Sequence, residues 1–217
     1  AKRRIELIKY AHKQNSYIIE DDYDSEFRYD SSPLTPLYSL APDIVIYVGT
    51  FSKILFPAIR IGYVILPWQL LDEFSKQKTY TDYFNNTIDQ LALAKFIDNT
   101  FLDQHIMKMK KCYRKRRDQL ILSLKETFGK TISISGESTG LHLIVKFSHI
   151  NFSNELMTYL ATKNIIVHPV WKYCNQSNYP KNSLVMGYSH LDIEKISVYI
   201  YNLHRVVGEY KDSPKIG

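Results

Sequence analysis

Three short apolar runs, at Tyr17–Glu20, Ile44–Gly49 and Gly62–Leu66, punctuate the first hundred residues, and charged stretches of helical character lie between and after them. Each run is rich in Val, Ile or Tyr, and unbroken apolar runs of this length suit buried parallel strands, although one or more can pair antiparallel. Strands alternating with helices predict an α/β sheet. The opening AKRRIELIKYAHKQNSY is a charged amphipathic pattern and reads as the helix that feeds the first strand. Ser31–Leu40, with Pro33 and Pro36, reads as a loop with a short turn of helix before Pro42.

From Gln69 to about Thr100 the pattern turns helical, and from Asp103 to Phe128 strongly so. Ile106, Met109, Tyr113, Leu120, Leu124 and Phe128 form one apolar face, whereas Lys108, Lys110, Lys111, Arg114, Lys115, Arg117 and Lys125 form a wet basic one. Gly129 is the expected stop. Beyond it, Thr131–Ser135, Leu141–Phe147, Ile165–Val170 and Leu184–Tyr188 read as strands. Ser153–Lys163 and Ile193–Val207 read as helices. The expected organisation is a large α/β region over 1–102, a connecting helix over 103–128, a small α+β domain over 129–210 and a loose tail over 211–217. There is no internal repeat and no low-complexity tract.

Composition narrows the class without naming it. A 45% hydrophobic content is that of a globular chain, and no apolar run is long enough to span a membrane. The start lacks the apolar centre of a signal peptide. Two cysteines, Cys112 and Cys174, without metal-like pairing argue against a disulfide framework or a zinc site, so a reducing cytoplasm is expected. The net charge of +6 suits nucleic acid but is common in soluble proteins, and decides nothing. Ala1 is not an initiator methionine, and a βαβ arrangement needs strands before the first helix, so the chain reads as the downstream part of a longer protein.

The candidate chemistry centres on Lys53 in VIYVGTFSKILFPAIRIGYVILP, preceded by Asp21 and Tyr23 in IIEDDYDSEFRY. An amine, a carboxylate and a phenol at the exits of strand-like runs are what a pyridoxal 5'-phosphate site needs. The amine joins the cofactor aldehyde, the carboxylate keeps the pyridine nitrogen protonated and the phenol donates to the ring's 3-oxygen. Thr50 and Ser52 offer hydroxyls to a phosphate, and Arg60 offers a guanidinium fork. The cluster Glu20, Asp21, Asp22, Asp24 and Glu26 has competing readings, as a Mg²⁺ site or, for Asp22, Asp24 and Glu26, as solvated loop residues, but the metal reading leaves Lys53 and Arg60 unexplained. Tyr80, Tyr83, Phe84, Trp171 and Tyr173 read as core or interface packing. His142, His168 and His190 read as structural histidines.

These strings resemble fold-type I aminotransferases. More narrowly, EDDYDSEFRY together with GTFSK and LFPAIR is similar to the aminotransferase-like domain of the MocR/GabR group of bacterial GntR-family transcriptional regulators. The likeness is sharp over 17–67 and looser to the end, through GLHLIVKF, IIVHPVWKY and LVMGYSHLDIEKI. It implies the latter part of a fold-type I large domain followed by a small α+β domain. Lys53 would be the Schiff-base lysine, Asp21 the partner of the pyridine nitrogen and Tyr23 that of the 3-oxygen, with Arg60, Thr50 and Ser52 on the phosphate. The winged-helix DNA reader and the first part of the cofactor domain would lie upstream of Ala1. A homodimer is implied as well.

One departure bears on function. Related aminotransferases clamp the substrate carboxylate with an arginine in the last small-domain strand, and Val185 stands at the aligned position; Lys172 is the candidate substitute. Two functions therefore remain open, beside a third in which a degenerate domain keeps the fold for dimerisation alone. One is an effector domain that senses an amine or amino acid through aldimine exchange at Lys53. The other is a class I/II aminotransferase in which Lys53 shuttles the proton.

Overall fold

The computed structural model describes residues 2–30, 34–82, 86–175 and 179–212. Its helices are α1 (Lys2–Gln14), α2 (Leu37–Leu40), α3 (Leu71–Thr81), α4 (Thr87–Asp98), α5 (Phe101–Phe128), α6 (Asn154–Thr162) and α7 (Ile196–Asp212). Its strands are β1 (Ile18–Asp22), β2 (Val45–Thr50), β3 (Gly62–Ile65), β4 (Ile132–Ser135), β5 (His142–Phe147), β6 (His168–Pro169) and β7 (Ser183–Gly187). Two compact units result: residues 1–26 with 32–108, and residues 27–31 with 109–217. The division runs through α5, and the short segment after Glu26 belongs to the second unit.

The first unit is built on a sheet of order β1-β2-β3. β1 and β2 are parallel, with Asp21 opposite Val48, whereas β3 returns antiparallel, with Gly62 opposite Thr50. The burial expected of these runs is not met within the described residues. Val45 is buried, but Ile19 stands 70% exposed and β3 is open along most of its length. The helical region from Gln69 is two helices, because α3 ends at Thr81 and α4 starts afresh at Asn86, whose side chain accepts from the Asp89 N–H. Tyr83 and Phe84, and Ser31–Pro33 of the proline loop, lie outside the described residues.

Helix ends follow local chemistry. After α1, Asn15 takes the left-handed conformation (φ 50°), and the Ser16 N–H reaches the Ala11 carbonyl at 3.0 Å, which closes the helix. Asn164 does the same after α6, and Gly129, at φ 57°, ends α5 where the sequence placed the stop. Ser153 caps α6 by accepting from the Leu156 N–H.

The second unit holds the main core. Its sheet, of order β4-β5-β7-β6, is antiparallel throughout. Along β5, Leu143, Val145 and Phe147 point inward and alternate with exposed residues. They meet Leu120, Leu124 and Phe128 of α5, Leu156 and Leu160 of α6, and Ile196, Ile200 and Leu203 of α7. The strand expected over Ile165–Val170 shrinks to His168–Pro169, and the chain then coils into a 3-10 turn over Val170–Tyr173. The closing helix runs on to Asp212, so the tail begins later than its polar sequence suggests; residues 213–217 lie outside the described residues.

Candidate functional site

Three consecutive acids in β1 have different surroundings. Both Glu20 oxygens accept from the start of α2, from Leu37 N–H at 2.8 Å and Tyr38 N–H at 3.0 Å, with Arg4 3.8 Å away. Asp22 accepts from the Tyr47 hydroxyl at 2.7 Å and from the Ser25 N–H at 3.2 Å. Asp21, on the opposite face of the strand, has no hydrogen-bond or ion-pair partner among the described residues and is exposed. It lies inside β1, not just beyond the strand end as its polarity suggested, because the pairing with β2 carries on to Asp22. Tyr23 follows. Its hydroxyl is harder to ionise than usual, first through the charge of Asp24, then through burial, then through the charge of Asp21. Asp21 and Tyr23 are thus close enough to feel each other.

The second half of the site is the turn between β2 and β3. Thr50 is the last residue of β2, and its hydroxyl oxygen accepts from the Ser52 N–H at 3.1 Å. Phe51 N–H bonds to the Ile61 carbonyl at 3.0 Å and Leu55 N–H to the Phe51 carbonyl at 2.8 Å, so Ser52 and Lys53 sit in a tight, closed turn. Lys53 is exposed and, among the described residues, carries no ion pair. Ile54 beside it is buried, and its carbonyl lies 3.0 Å from Nε2 of His105 on α5. Arg60 is exposed in the left-handed conformation (φ 49°, ψ 34°) at the end of a 3-10 turn, two residues before β3. Few non-glycine residues occupy that region without a reason.

Topology brings these positions to one edge. The carboxyl ends of the parallel β1 and β2 and the amino end of the antiparallel β3 all lie at the same end of the sheet. Asp21, Tyr23, Thr50, Ser52, Lys53 and Arg60 therefore gather there, where ligands of open α/β sheets are bound. Beneath them Tyr63 lies so close over Gly49 that a Cβ on residue 49 would come within 2.3 Å of the ring. Burial and the Tyr47 hydrogen bond dominate the environment of the Tyr63 hydroxyl, and burial makes it harder to ionise.

With Glu20 and Asp22 committed to α2 and Tyr47, the acidic cluster is in part a fold element. The described residues hold no group of three or more His, Cys, Asp or Glu arranged for a metal ion. The basic helix face also needs correction. Arg117 is buried, not solvated: it is paired with Asp30 and Asp118, donates to the Glu137 carbonyl at 2.8 Å and lies 4.7 Å from the Tyr29 ring centre. Arg114 also reaches back, to the Tyr29 carbonyl and to Asp30 at 3.4 Å. Lys108, Lys111, Lys115 and Lys125 remain exposed.

Elsewhere in the second unit, Val185 is half-buried in β7 between Ile144 and His168. Lys172 lies over Trp171 at 5.9 Å, and Trp171 donates to the Phe152 carbonyl at 2.9 Å. Tyr80 and Tyr173 are 80% and 68% exposed, so neither packs in a described core. His142, His168 and His190 are exposed rather than built into the core. Sequence reasoning missed His105 and Arg117, whose partners lie 51 and 87 residues away; no local pattern announces such pairs.

A short mixed sheet with this edge, followed by a long helix and a small α+β unit, defines a fold-type I aminotransferase-like protein. The chain belongs to the aminotransferase class I and II family, whose model matches residues 4–179; pyridoxal 5'-phosphate is the cofactor of that family. It is 36% identical over 203 residues to the HTH-type transcriptional regulator YhdI of Bacillus subtilis, covering 93% of this chain and 43% of that protein. It is 28% identical over 190 residues to the probable rhizopine catabolism regulatory protein MocR of Rhizobium meliloti, covering 87% and 38%. Among solved structures, the Pyrococcus horikoshii kynurenine aminotransferase, in complex with PMP, superposes with a TM-score of 0.86 at 26% identity, covering 98% of this chain and 53% of that one. The chain thus spans about half or less of the length of the relatives it matches.

Proposed function

We propose that this chain is the cofactor-binding effector portion of a MocR-type transcriptional regulator, which holds pyridoxal 5'-phosphate through Lys53 and senses an amine or amino acid. The observation that carries the reading is the sheet edge. There an amine, a carboxylate and a guanidinium, Lys53, Asp21 and Arg60, stand without protein partners among the described residues, while their acidic neighbours are engaged. That donor set fits the cofactor group by group. The Lys53 amine suits the aldehyde, and the Asp21 carboxylate suits a protonated ring nitrogen. The Tyr23 hydroxyl can donate to the 3-oxygen. Arg60 with the Thr50 and Ser52 hydroxyls suits the phosphate dianion. When bound, the cofactor supplies an electron sink and an amine-exchangeable carbonyl.

In the regulator reading, Lys53 would be the protein amine that an incoming amine replaces on the bound cofactor, and its side chain would be the base available beside the site. The binding shifts the protein only as far as the amine favours one conformation over another. DNA contact would come from a winged-helix domain outside this chain, in a cytoplasmic homodimer. The regulators among the relatives support this, and Val185 in place of a carboxylate-clamping arginine gives no support to ordinary amino-acid turnover. The second reading, an enzyme transferring amino groups, is favoured by the aminotransferases among the structural neighbours.

The deciding experiment adds cofactor to the whole protein and to a Lys53→Ala variant. Visible absorbance that borohydride traps on the protein, present in the first and absent in the second, is the expected result. Equal absorbance in both would remove Lys53 from the site. Amine-dependent operator binding without amino transfer to a keto acid then separates regulator from enzyme.

A further inference from the structure

The turn that carries Lys53 ends as its sequence dictates. Leu55 N–H bonds to the Phe51 carbonyl at 2.8 Å, which makes one turn of helix. A second turn cannot form. Phe56 precedes Pro57, and the proline ring drives the residue before it into extended backbone (φ −156°, ψ 147°). The Ile54 carbonyl, which a continuing helix would give to the Ala58 N–H, is left without a main-chain partner among the described residues. An acceptor drawn away from water without a donor is costly.

His105 supplies the donor. Its Nε2 lies 3.0 Å from the Ile54 carbonyl. A carbonyl only accepts, so the ring carries a hydrogen on Nε2. Both residues lie in the first unit, which takes in α5 as far as Lys108. The peptide between Ile54 and Leu55 is thus held at both ends, its N–H by Phe51 and its C=O by His105. On the other side of Lys53, the Ser52 N–H is tied to the Thr50 hydroxyl oxygen at 3.1 Å. Lys53 stands between these two fixed peptides, which set the direction in which its side chain leaves the turn.

Packing alone does not fix that direction. Leu55, Phe56 and Ile59 meet Leu93 and Phe96 of α4 around an apolar pocket rather than in a filled contact. Apolar contact is non-directional, and a void forfeits part of it. The hydrogen bond from His105 adds the missing direction.

We infer that His105 is a positioning residue for Lys53: by holding the Ile54 carbonyl it fixes the turn that presents the lysine amine. The inference rests on the proposed cofactor site and adds what tunes its sensitivity. An amine held ready has a higher effective concentration than a loose one, and a competing amine must exceed it. His105 thereby sets how much amine is needed to replace Lys53.

The test loads the whole protein with pyridoxal 5'-phosphate and titrates it with methylamine, reading the fraction of cofactor that borohydride still fixes to the protein. Exchange returns Lys53 to its free amine, one amine in and one out. His105→Leu keeps an apolar side chain of similar bulk but removes the donor, and His105→Gln restores an N–H at about the reach of Nε2. His105→Leu is expected to lower the methylamine concentration at half-exchange about three- to tenfold, the effect of one lost hydrogen bond, and His105→Gln to stay within about twofold of the unsubstituted protein. A second reading needs no cofactor. Hydrogen exchange at the Leu55 N–H should quicken about five- to tenfold in His105→Leu and return towards its original rate in His105→Gln. Leucine serving as well as histidine in either reading would mean that the ring only fills space, which overturns the inference and leaves the cofactor site standing. Glutamine behaving like leucine overturns it as well. Absence of lysine-linked absorbance in the unsubstituted protein overturns the site, and the inference with it.

Discussion

Glu20, Asp21 and Asp22 show how much one residue of register decides. A strand turns successive side chains to opposite faces, so Glu20 and Asp22 face α2 and Tyr47 while Asp21 faces away from both. Glu26, four residues on, is a different case. Burial raises its pKa, its own backbone hydrogen bond opposes this, and the charges of Asp22 and Asp24 raise it further. A carboxyl whose folded pKa exceeds its unfolded one binds more protons folded than unfolded, so stability falls as pH rises from the unfolded value of about 4.3. The loss is complete above the folded pKa. Glu26→Gln should therefore raise the unfolding temperature at pH 7 and leave it unchanged below about pH 4. A gain of equal size at both pH values would show that charge is not the cause.

At the scale of elements, the stop of α5 was readable because it depends on one residue, the glycine at position 129 and its φ preference. The start of α6 falls one residue later than its sequence suggested, because the Ser153 side chain caps the helix instead of joining it. The place of the Phe27–Asp30 segment in the second unit was not readable. EFRYD reads as the polar end of a motif, yet Phe27 is the most deeply buried residue of that stretch. Removing its ring should cost about 3–5 kcal/mol, the range for phenylalanine truncated in a packed core. Denaturant unfolding of Phe27→Ala, followed by a probe in the second unit, checks this. A cost below about 1 kcal/mol would mean that Phe27 is not packed in a core in solution. The basic face of α5 was half readable for the same reason. Periodicity separates apolar from polar positions but does not distinguish a solvated arginine from one paired with Asp30 from another part of the chain.

At the scale of the molecule, the two units differ in how well they are filled. The second has a contiguous core drawn from β5, β7, α5, α6 and α7, whereas the first keeps Ile19, Tyr63 and Ile65 exposed on its sheet. A ligand bound to the folded state alone stabilises by mass action. Cofactor at a hundred times its dissociation constant should add about 2.7 kcal/mol to the first unit. Thermal unfolding with and without pyridoxal 5'-phosphate measures it, and Lys53→Ala should lose most of the gain. Undiminished stabilisation in that variant would place the binding elsewhere.

The sequence by itself determined the chemistry on offer: which residues can supply an amine, a carboxylate, a phenol and a phosphate-binding fork, and that they lie near strand ends. Those properties are local, set by side-chain type and by periods of two and 3.6 residues. Only the tertiary structure decided the direction of β3, the separate fates of three adjacent acids and the pairing of Arg117 with Asp30. Each depends on groups that chain folding brings together from tens of residues away, and no pattern within a single element encodes them.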